Sequence, residues 1–357
     1  MNKDSSTNRK IVIDGRQLTR CYGGVQRYLR EVLLELDKVA EANTYEIIVP
    51  KKAKVDFELD NIPIVYWGNM DGLLWEQLEL PRYLSKTKSL GVFFCTIYPF
   101  FYRGGIVVLH DIMARRSKII RKSMNPFLYR IFSWNNRVAC KKAGAIITDT
   151  NYVKHELIRE FGVDPSKIHS CGCGWQHMER IIENDGWLKR YPQVQKGNYF
   201  FSLSANRIQK NFNWISQVAK THPQELFLIA GTSDEWQNNN QFNANNIIWM
   251  GELSDGEIKS LMKNAKAFLF PSTDEGFGIP PLEALGSGAT VISAYASCMP
   301  EIFGGAVHYI DPYSYDLDIN DLLKEEVDLP DSVLEKYSWK KTAERVHGIC
   351  KYLSNSD

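Results

Sequence analysis

Short apolar runs alternate with stretches of helical spacing from one end of the chain to the other, and this alternation limits the fold more than any other feature. An apolar run bounded by turn residues is how a strand of a parallel sheet reads when both of its faces are covered. Such runs occur at Lys10–Gly15, Tyr45–Val49, Ile62–Tyr66, Val92–Cys95, Ile106–Leu109 and Ala145–Thr148, with a shorter one near Ile168. A second series follows at Tyr199–Ser204, Leu226–Ala230, Ile247–Met250 and Ala267–Phe270. Between the strands, residues such as Val25, Tyr28, Leu29, Val32, Leu33, Leu36 and Val39 recur at three- and four-residue steps, which sets an apolar stripe on one face of a helix. The alternation predicts an α/β protein with two doubly wound domains. With 357 residues, 44% of them hydrophobic, the chain is long and apolar enough for two cores.

The densest chemistry lies where the run Ala267–Phe270 stops at Pro271. Gly276 and Gly278 let the backbone approach a ligand closely, and Pro280 and Pro281 suit the first turn of a helix, where a missing N–H costs little. The N–H groups and dipole of a helix start favour an anion. The carboxylates of Glu275 and Glu283 suit hydroxyl groups and would repel phosphate. The ligand so implied carries both phosphate and sugar.

Glu275 and Glu283, with seven residues between them, and the surrounding Gly-Phe-Gly-Ile-Pro-Pro-Leu-Glu-Ala-Leu resemble the Glu-x7-Glu signature of retaining glycosyltransferases of family 4. These are group 1 glycosyltransferases of the bacterial surface polysaccharide type. The similarity continues through Gly286-Ser287-Gly288, Met299-Pro300-Glu301-Ile302 and Asp311-Pro312. It implies the GT-B architecture, two Rossmann-like doubly wound domains facing a cleft. Residues 1–173 would form the acceptor-side domain, 174–197 a hinge, 198–335 the nucleotide-sugar domain, and 336–357 a helix crossing back. By the same resemblance Glu275 positions the donor sugar, Glu283 binds the ribose, and backbone groups of Gly276, Phe277 and Gly278 assist.

Other segments join this reading. Cys21-Tyr22-Gly23-Gly24 resembles the family's N-terminal glycine loop, placing Gly23 and Gly24 near the donor; the three-glycine spacing of a plain dinucleotide fold is missing. A tight turn is the local alternative. His110 follows the strand Ile106–Leu109, at the carboxyl end where open α/β sheets bind ligands, and the resemblance sets it beside the donor sugar. Lys210 matches the family's diphosphate-binding lysine. Its arginine partner would be Arg207, displaced from the usual spacing. Trp175 and His177 either line the cleft or pack at the domain junction. Trp75-Glu76-Gln77 also matches the family, with a packing role only.

Asp316-Leu317-Asp318 reads as a solvated helix cap, and no metal or other cofactor is expected. Ser254-Asp255-Gly256-Glu257 is a capping-box pattern. The formal net charge of +1 gives no case for nucleic acid, yet Arg103–Lys142 holds ten basic residues against the single acid Asp111. Mixed with Ile119, Phe127, Tyr129, Phe132 and Trp134, that segment reads either as a surface against an anionic membrane or as ordinary core packing. The seven cysteines, at 21, 95, 140, 171, 173, 298 and 350, lack zinc or disulfide spacing and read as reduced thiols.

The polar Met1–Lys10 excludes a secretory signal at this position, and Leu90–Tyr102 is too short to span a bilayer. The expected location is the cytoplasm, with peripheral contact at the inner face of the cell membrane. The expected activity is metal-independent, retaining transfer of a hexose such as mannose from a nucleotide-diphosphate sugar to a saccharide or lipid-linked acceptor. A silent nucleotide-sugar-binding subunit and a GT-B nucleotide-sugar epimerase remain as alternatives. Base, donor sugar, linkage and oligomeric state are open at this level.

Overall fold

The computed structural model describes residues 9–19, 23–94, 97–203, 207–231 and 244–355. Cys21, Tyr22, Cys95, Ser204, Ala205, Asn206, the stretch Asn238–Asn240 and the side chain of Ile119 lie outside what it describes. The chain divides into two compact units, the first comprising Met1–Arg116, Met124–Cys173 and Trp339–Asp357, the second Ser117–Ser123 and Gly174–Ser338.

In the first unit, β1 (Ile11–Asp14), β2 (Tyr45–Pro50), β3 (Ile64–Trp67), β4 (Leu90–Phe93), β5 (Ile106–Val108), β6 (Ala145–Thr148) and β7 (Ile168–Ser170) form one sheet. Its order is β3-β2-β1-β4-β5-β6-β7, and every pairing is parallel. All residues of β1, β2, β4, β5 and β6 are buried, as the uninterrupted apolar runs require. The helix Gly24–Val39 covers the sheet with Tyr28, Leu29, Val32, Leu33 and Leu36, while Val39, in its last turn, is 46% exposed.

Two strand boundaries shift from expectation. β3 starts at Ile64 because the N–H groups of Asp60, Asn61 and Ile62 donate to the Asp37 carboxylate at 2.7–2.9 Å and are withdrawn from any ladder. β4 starts at Leu90, whose N–H already donates to Lys10 O at 2.9 Å. The basic stretch after Arg115 is broken into Met113–Arg116, Lys118–Ser123 and Pro126–Lys142, the last entered through an Asn125 cap and Pro126.

The helix Trp339–Ser354 belongs to the first unit and packs along Gly24–Val39. Trp339, Ala343, Val346 and Cys350 are buried, on the i, i+4, i+7 and i+11 positions of one face. Trp339 meets Tyr28 edge-on with ring centroids 5.8 Å apart, and Tyr45 Oη lies 2.9 Å from His347 Nδ1.

The second unit repeats the plan. β8 (Phe200–Leu203), β9 (Phe227–Ala230), β10 (Ile247–Gly251), β11 (Ala267–Phe270), β12 (Val291–Ala294) and β13 (His308–Ile310) form a parallel sheet in the order β10-β9-β8-β11-β12-β13. Ser254 and Glu257 make the capping box of the helix Asp255–Lys263. Asp318 caps Ile319–Leu322, accepting from the N–H groups of Asn320 and Asp321. Residues 174–196 carry two short helices, His177–Arg180 and Trp187–Arg190, and are part of this unit. The helix Lys118–Ser123 is likewise grouped here and contacts the turn Ile208–Lys210.

Replacing Trp339, 1% exposed, by Ala removes a large side chain from the first unit's interior. Trp339→Ala should cost about 3–5 kcal/mol, read as a lower urea midpoint; an unchanged midpoint would show that this helix contributes nothing to the fold.

Candidate active site

In each sheet the strand order reverses once, beside β1 in the first unit and beside β8 in the second. The carboxyl ends of the two strands at such a switch diverge into separate loops and open a crevice where ligands bind. Lys210, Glu275, Gly23 and Gly24 follow strands at these two places, while His110 follows β5, one strand beyond the switch.

In the second unit, β8 leads to Arg207 and the turn Ile208–Lys210, and its neighbour β11 leads to the loop Pro271–Gly278. Lys210 and Glu275 meet across the switch, Nζ to Oε1 at 2.8 Å, with side chains 17% and 13% exposed. The Lys210 ammonium also lies 4.7 Å from the centre of the Phe270 ring. The Ser272 hydroxyl sits 2.6 Å from the same Oε1 and 3.0 Å from Gln209 O; its single proton serves one acceptor at a time. Both side-chain contacts fall on Oε1, and among the described residues Glu275 Oε2 takes no hydrogen bond.

The loops are fixed by backbone bonds as well. Thr273 N–H donates to Gln209 O at 2.9 Å, Glu275 N–H to Ser297 Oγ at 3.1 Å, and Asn211 Nδ2 to Pro271 O and Pro312 O at 3.2 and 2.8 Å. Gly278 opens the helix Ile279–Gly286 at φ 97°, a backbone conformation that favours glycine, and a Cβ there would also press on the end of the Met299 side chain. The Phe277 ring packs edge-on against Tyr337 at 5.2 Å, leaving its backbone as what it can offer a ligand. Arg207 is exposed.

Glu283, on the second turn of that helix, is 7% exposed, and its Oε1 lies 2.8 Å from His177 Nε2. His177 thus contacts a predicted site residue rather than merely filling the junction. Trp75 and Glu76 have structural partners: Trp75 Nε1 donates to Trp67 O at 2.9 Å, and Glu76 forms a buried ion pair with Arg16 at 2.6 Å.

In the first unit, Gly23 and Gly24 start the helix Gly24–Val39 after β1, with no side-chain cap on its first N–H groups. His110 follows β5 and is 9% exposed. Its Nδ1 lies 2.9 Å from Asp149 Oδ2 and its Nε2 3.1 Å from Phe94 O, while Tyr28 meets the ring edge-on at 4.8 Å. With acceptors at both nitrogens, the arrangement suits the doubly protonated imidazolium. Burial pulls the His110 pKa down, but the Asp149 charge and hydrogen bond, the Phe94 carbonyl and Asp111 together push it further up, and the net direction is upward. Asp149 Oδ1 and the Tyr28 hydroxyl are buried with no hydrogen-bond partner among the described residues. Burial, followed by Asp149, holds Tyr28 protonated.

Five cysteines, at 140, 171, 173, 298 and 350, are buried, with no disulfide among the described residues. Burial pushes the Cys140, Cys171 and Cys350 thiols up to about 12. Among the described residues no three His, Cys, Asp or Glu side chains are grouped to hold a metal ion. Sequence reasoning did not single out Ser272, Ser297 or Asp149; each is a common residue whose partner is distant in the chain and leaves no local signal.

Residues 184–337 match the family described as Glycosyl transferases group 1. The O-antigen chain mannosyltransferase RfbU of Salmonella typhimurium is 25% identical over 215 residues, 56% of this chain and 58% of RfbU. The chain therefore spans a little over half the length of that relative. Among solved structures, a glycosyltransferase from Rickettsia africae superposes with a TM-score of 0.68 at 14% identity, covering 98% of this chain and 100% of its own. Anabaena Alr3699/HepE in complex with UDP and glucose gives a TM-score of 0.65 at 14% identity over 96% and 99%. The fold is that of GT-B glycosyltransferases, two parallel-sheet α/β domains.

Because the folded His110 pKa lies above its unfolded value, the stability it contributes is complete below about 6.5 and is lost as pH rises through the folded value. Asp149→Asn should therefore lower the His110 pKa in an imidazole NMR titration and destabilise the chain more in acidic than in alkaline buffer. An unmoved titration would remove Asp149 as the cause.

Proposed function

We propose that this protein is a retaining glycosyltransferase that moves a hexose, mannose in the first instance, from a nucleotide-diphosphate sugar to a saccharide or lipid-linked acceptor in polysaccharide synthesis. The observation that carries this reading is the Lys210–Glu275 pair at the β8/β11 switch, with Oε2 of the carboxylate left without a hydrogen bond among the described residues and the Gly278 helix start three residues on. The arrangement lies within the segment that matches the group 1 family. The names of RfbU and of the HepE complex support a mannosyl donor and a nucleotide-bound state.

In this reading the diphosphate competes for Lys210, and Arg207 adds a second cation. Positive charge placed where the leaving group becomes more anionic lowers the barrier, a term commonly worth about 10²–10³ in rate. Glu275, relieved of the lysine, turns to the sugar hydroxyls, and Glu283 takes the ribose. The backbone N–H groups of Gly276, Phe277 and Gly278 and the start of Ile279–Gly286 face the phosphates. Neither glutamate is assigned as a nucleophile. The bond from the anomeric carbon to the phosphate oxygen breaks, the acceptor oxygen bonds to the same face, and the departing phosphate takes the acceptor proton, which retains configuration. His110, with both nitrogens already donating to Asp149 and Phe94 O, acts as a fixed positive charge in the unit we assign to the acceptor.

The first unit also carries a surface suited to a lipid-linked acceptor. On the helix Pro126–Lys142, Phe127 is 70% and Trp134 56% exposed, and Phe101 is 85% exposed. Arg130, Arg137 and Lys141 are exposed on the face of Phe127 and Trp134, at the i, i+3, i+7, i+10 and i+14 positions. Exposed aromatics with interleaved cations favour an anionic lipid interface. Arg115 and Arg116 do not add to this patch, since they pair with Glu160 and Glu156.

Glu275→Ala should depress turnover far more than nucleotide affinity, and Lys210→Ala should lower kcat by about 10²–10³. The assay is free nucleotide released from UDP-, GDP- or dTDP-mannose and -glucose with and without acceptor; release that ignores acceptor would favour an epimerase, and none at all a silent subunit. Phe127→Ser with Trp134→Ser should reduce co-sedimentation with vesicles containing phosphatidylglycerol. Equal sedimentation of both proteins would remove the membrane assignment.

A further inference from the structure

We propose that His177 is the positioning residue for Glu283, holding its carboxylate in the plane that accepts the two hydroxyls of a ribose and so setting a preference for ribonucleotides over deoxyribonucleotides. The proposal rests on the reading of Glu283 as the ribose ligand, and it adds a residue that this reading does not include.

The carboxylate of Glu283 has three side-chain rotors, and in water it would sample many orientations. Here its side chain is 9% exposed, and an ionised group withdrawn from water to that extent needs a donor. His177 Nε2 lies 2.8 Å from Oε1, with the imidazole 3% exposed, so the donor is itself buried. A hydrogen bond to one named oxygen narrows the rotor angles open to the carboxylate. A cis-diol then meets a prepared pair of acceptor directions rather than a mobile group, which lowers the ordering cost on binding.

The segment that carries the imidazole is anchored independently of the carboxylate it meets. Trp175, two residues earlier, donates from Nε1 to Leu334 O at 3.1 Å and lays its ring against the helix at Gly286, where a Cβ would overlap it. Gln176 Nε2 donates to Tyr337 O at 3.4 Å. On the other side, the Lys259 ammonium donates to Met178 O at 2.7 Å and Ile181 O at 2.8 Å. With residues 175–181 anchored through four bonds to two other segments, the backbone that carries the ring serves as the reference and the flexible glutamate as the group that is set.

The test is calorimetric titration of the full chain with UDP and GDP and with their 2′-deoxy counterparts, for wild type, Glu283→Ala, His177→Met and His177→Gln. A buried acceptor left without its hydroxyl should make wild type prefer the ribonucleotide by about tenfold or more. Glu283→Ala should abolish that ratio. His177→Met, similar in volume but without a donor, should reduce it several-fold, and His177→Gln, which returns an N–H near the Nε2 position, should restore part of it.

A purely structural histidine would weaken both nucleotides equally and leave the ratio intact, which overturns the proposal while Glu283 keeps its role. A ratio absent in wild type, or unchanged in Glu283→Ala, overturns the ribose reading itself. If His177→Met does not fold, the ratio in His177→Gln decides: a changed ratio supports positioning, and the wild-type ratio with lower affinity refutes it.

Discussion

The ion pair between Lys210 and Glu275 is the contact on which the second unit's crevice depends. The two residues are 65 positions apart in the chain and reach each other only because β8 and β11 are sheet neighbours whose following loops turn toward the same end. A cation and a carboxylate that are each mostly withdrawn from water are costly singly and tolerable together, since removing one partner leaves an uncompensated charge. The pair therefore favours the arrangement in which the loops from residue 207 and from residue 271 stand side by side. The bonds from Thr273 N–H to Gln209 O and from Asn211 to Pro271 O and Pro312 O reinforce it with neutral groups. What the charges hold while empty they can exchange when an anion and a polyol arrive together, because each partner has a matching group on such a ligand.

The first unit solves the corresponding problem differently. At the carboxyl ends of β4, β5 and β6 the polar centre is closed: His110 is enclosed by Asp149, Phe94 O and the Tyr28 ring, and its charge is balanced within the fold. A doubly donating imidazole has no lone pair left to take a proton and, with both N–H groups engaged inside the fold, its chemistry narrows to electrostatics. Tyr28 bridges this centre to the rest of the unit, lying between the histidine and Trp339 of the last helix. The two sheets share a topology without sharing a site chemistry, one presenting an openable ion pair and the other a fixed cation.

Much of this was legible in the sequence, for reasons that can be named. Uninterrupted apolar runs such as Ile146-Ile147 declare burial on both faces, so strand positions and the doubly wound class follow directly. Glu275, Gly278 and Glu283 stand in one continuous block, and Lys210 is recognisable beside Asn211. What escaped depends on distant partners. The true start of β3 is set by Asp37, which takes the N–H groups of Asp60 to Ile62. His177 finds Glu283 across 106 positions and His110 finds Asp149 across 39, and neither residue type at its position signals that pairing. Nor does anything local say that Ser117–Ser123 groups with the second unit, since a short basic helix reads the same wherever it docks.

The last helix has a consequence for how the molecule is made. Trp339, Ala343 and Val346 complete the packing around Gly24–Val39, so the first unit's interior stays unfinished until the final residues are available. The second unit, whose long segment runs from Gly174 to Ser338, lacks only the short stretch Ser117–Ser123, which precedes it in the chain. During synthesis from the N-terminus, the half that begins first is thus the half that closes last, and it waits with an apolar groove along its first helix while its neighbour folds. The helix Trp339–Ser354 acts as the latch of the first unit, and its loss should harm residues more than three hundred positions away (from Trp339 back to Tyr28) before it touches the second unit.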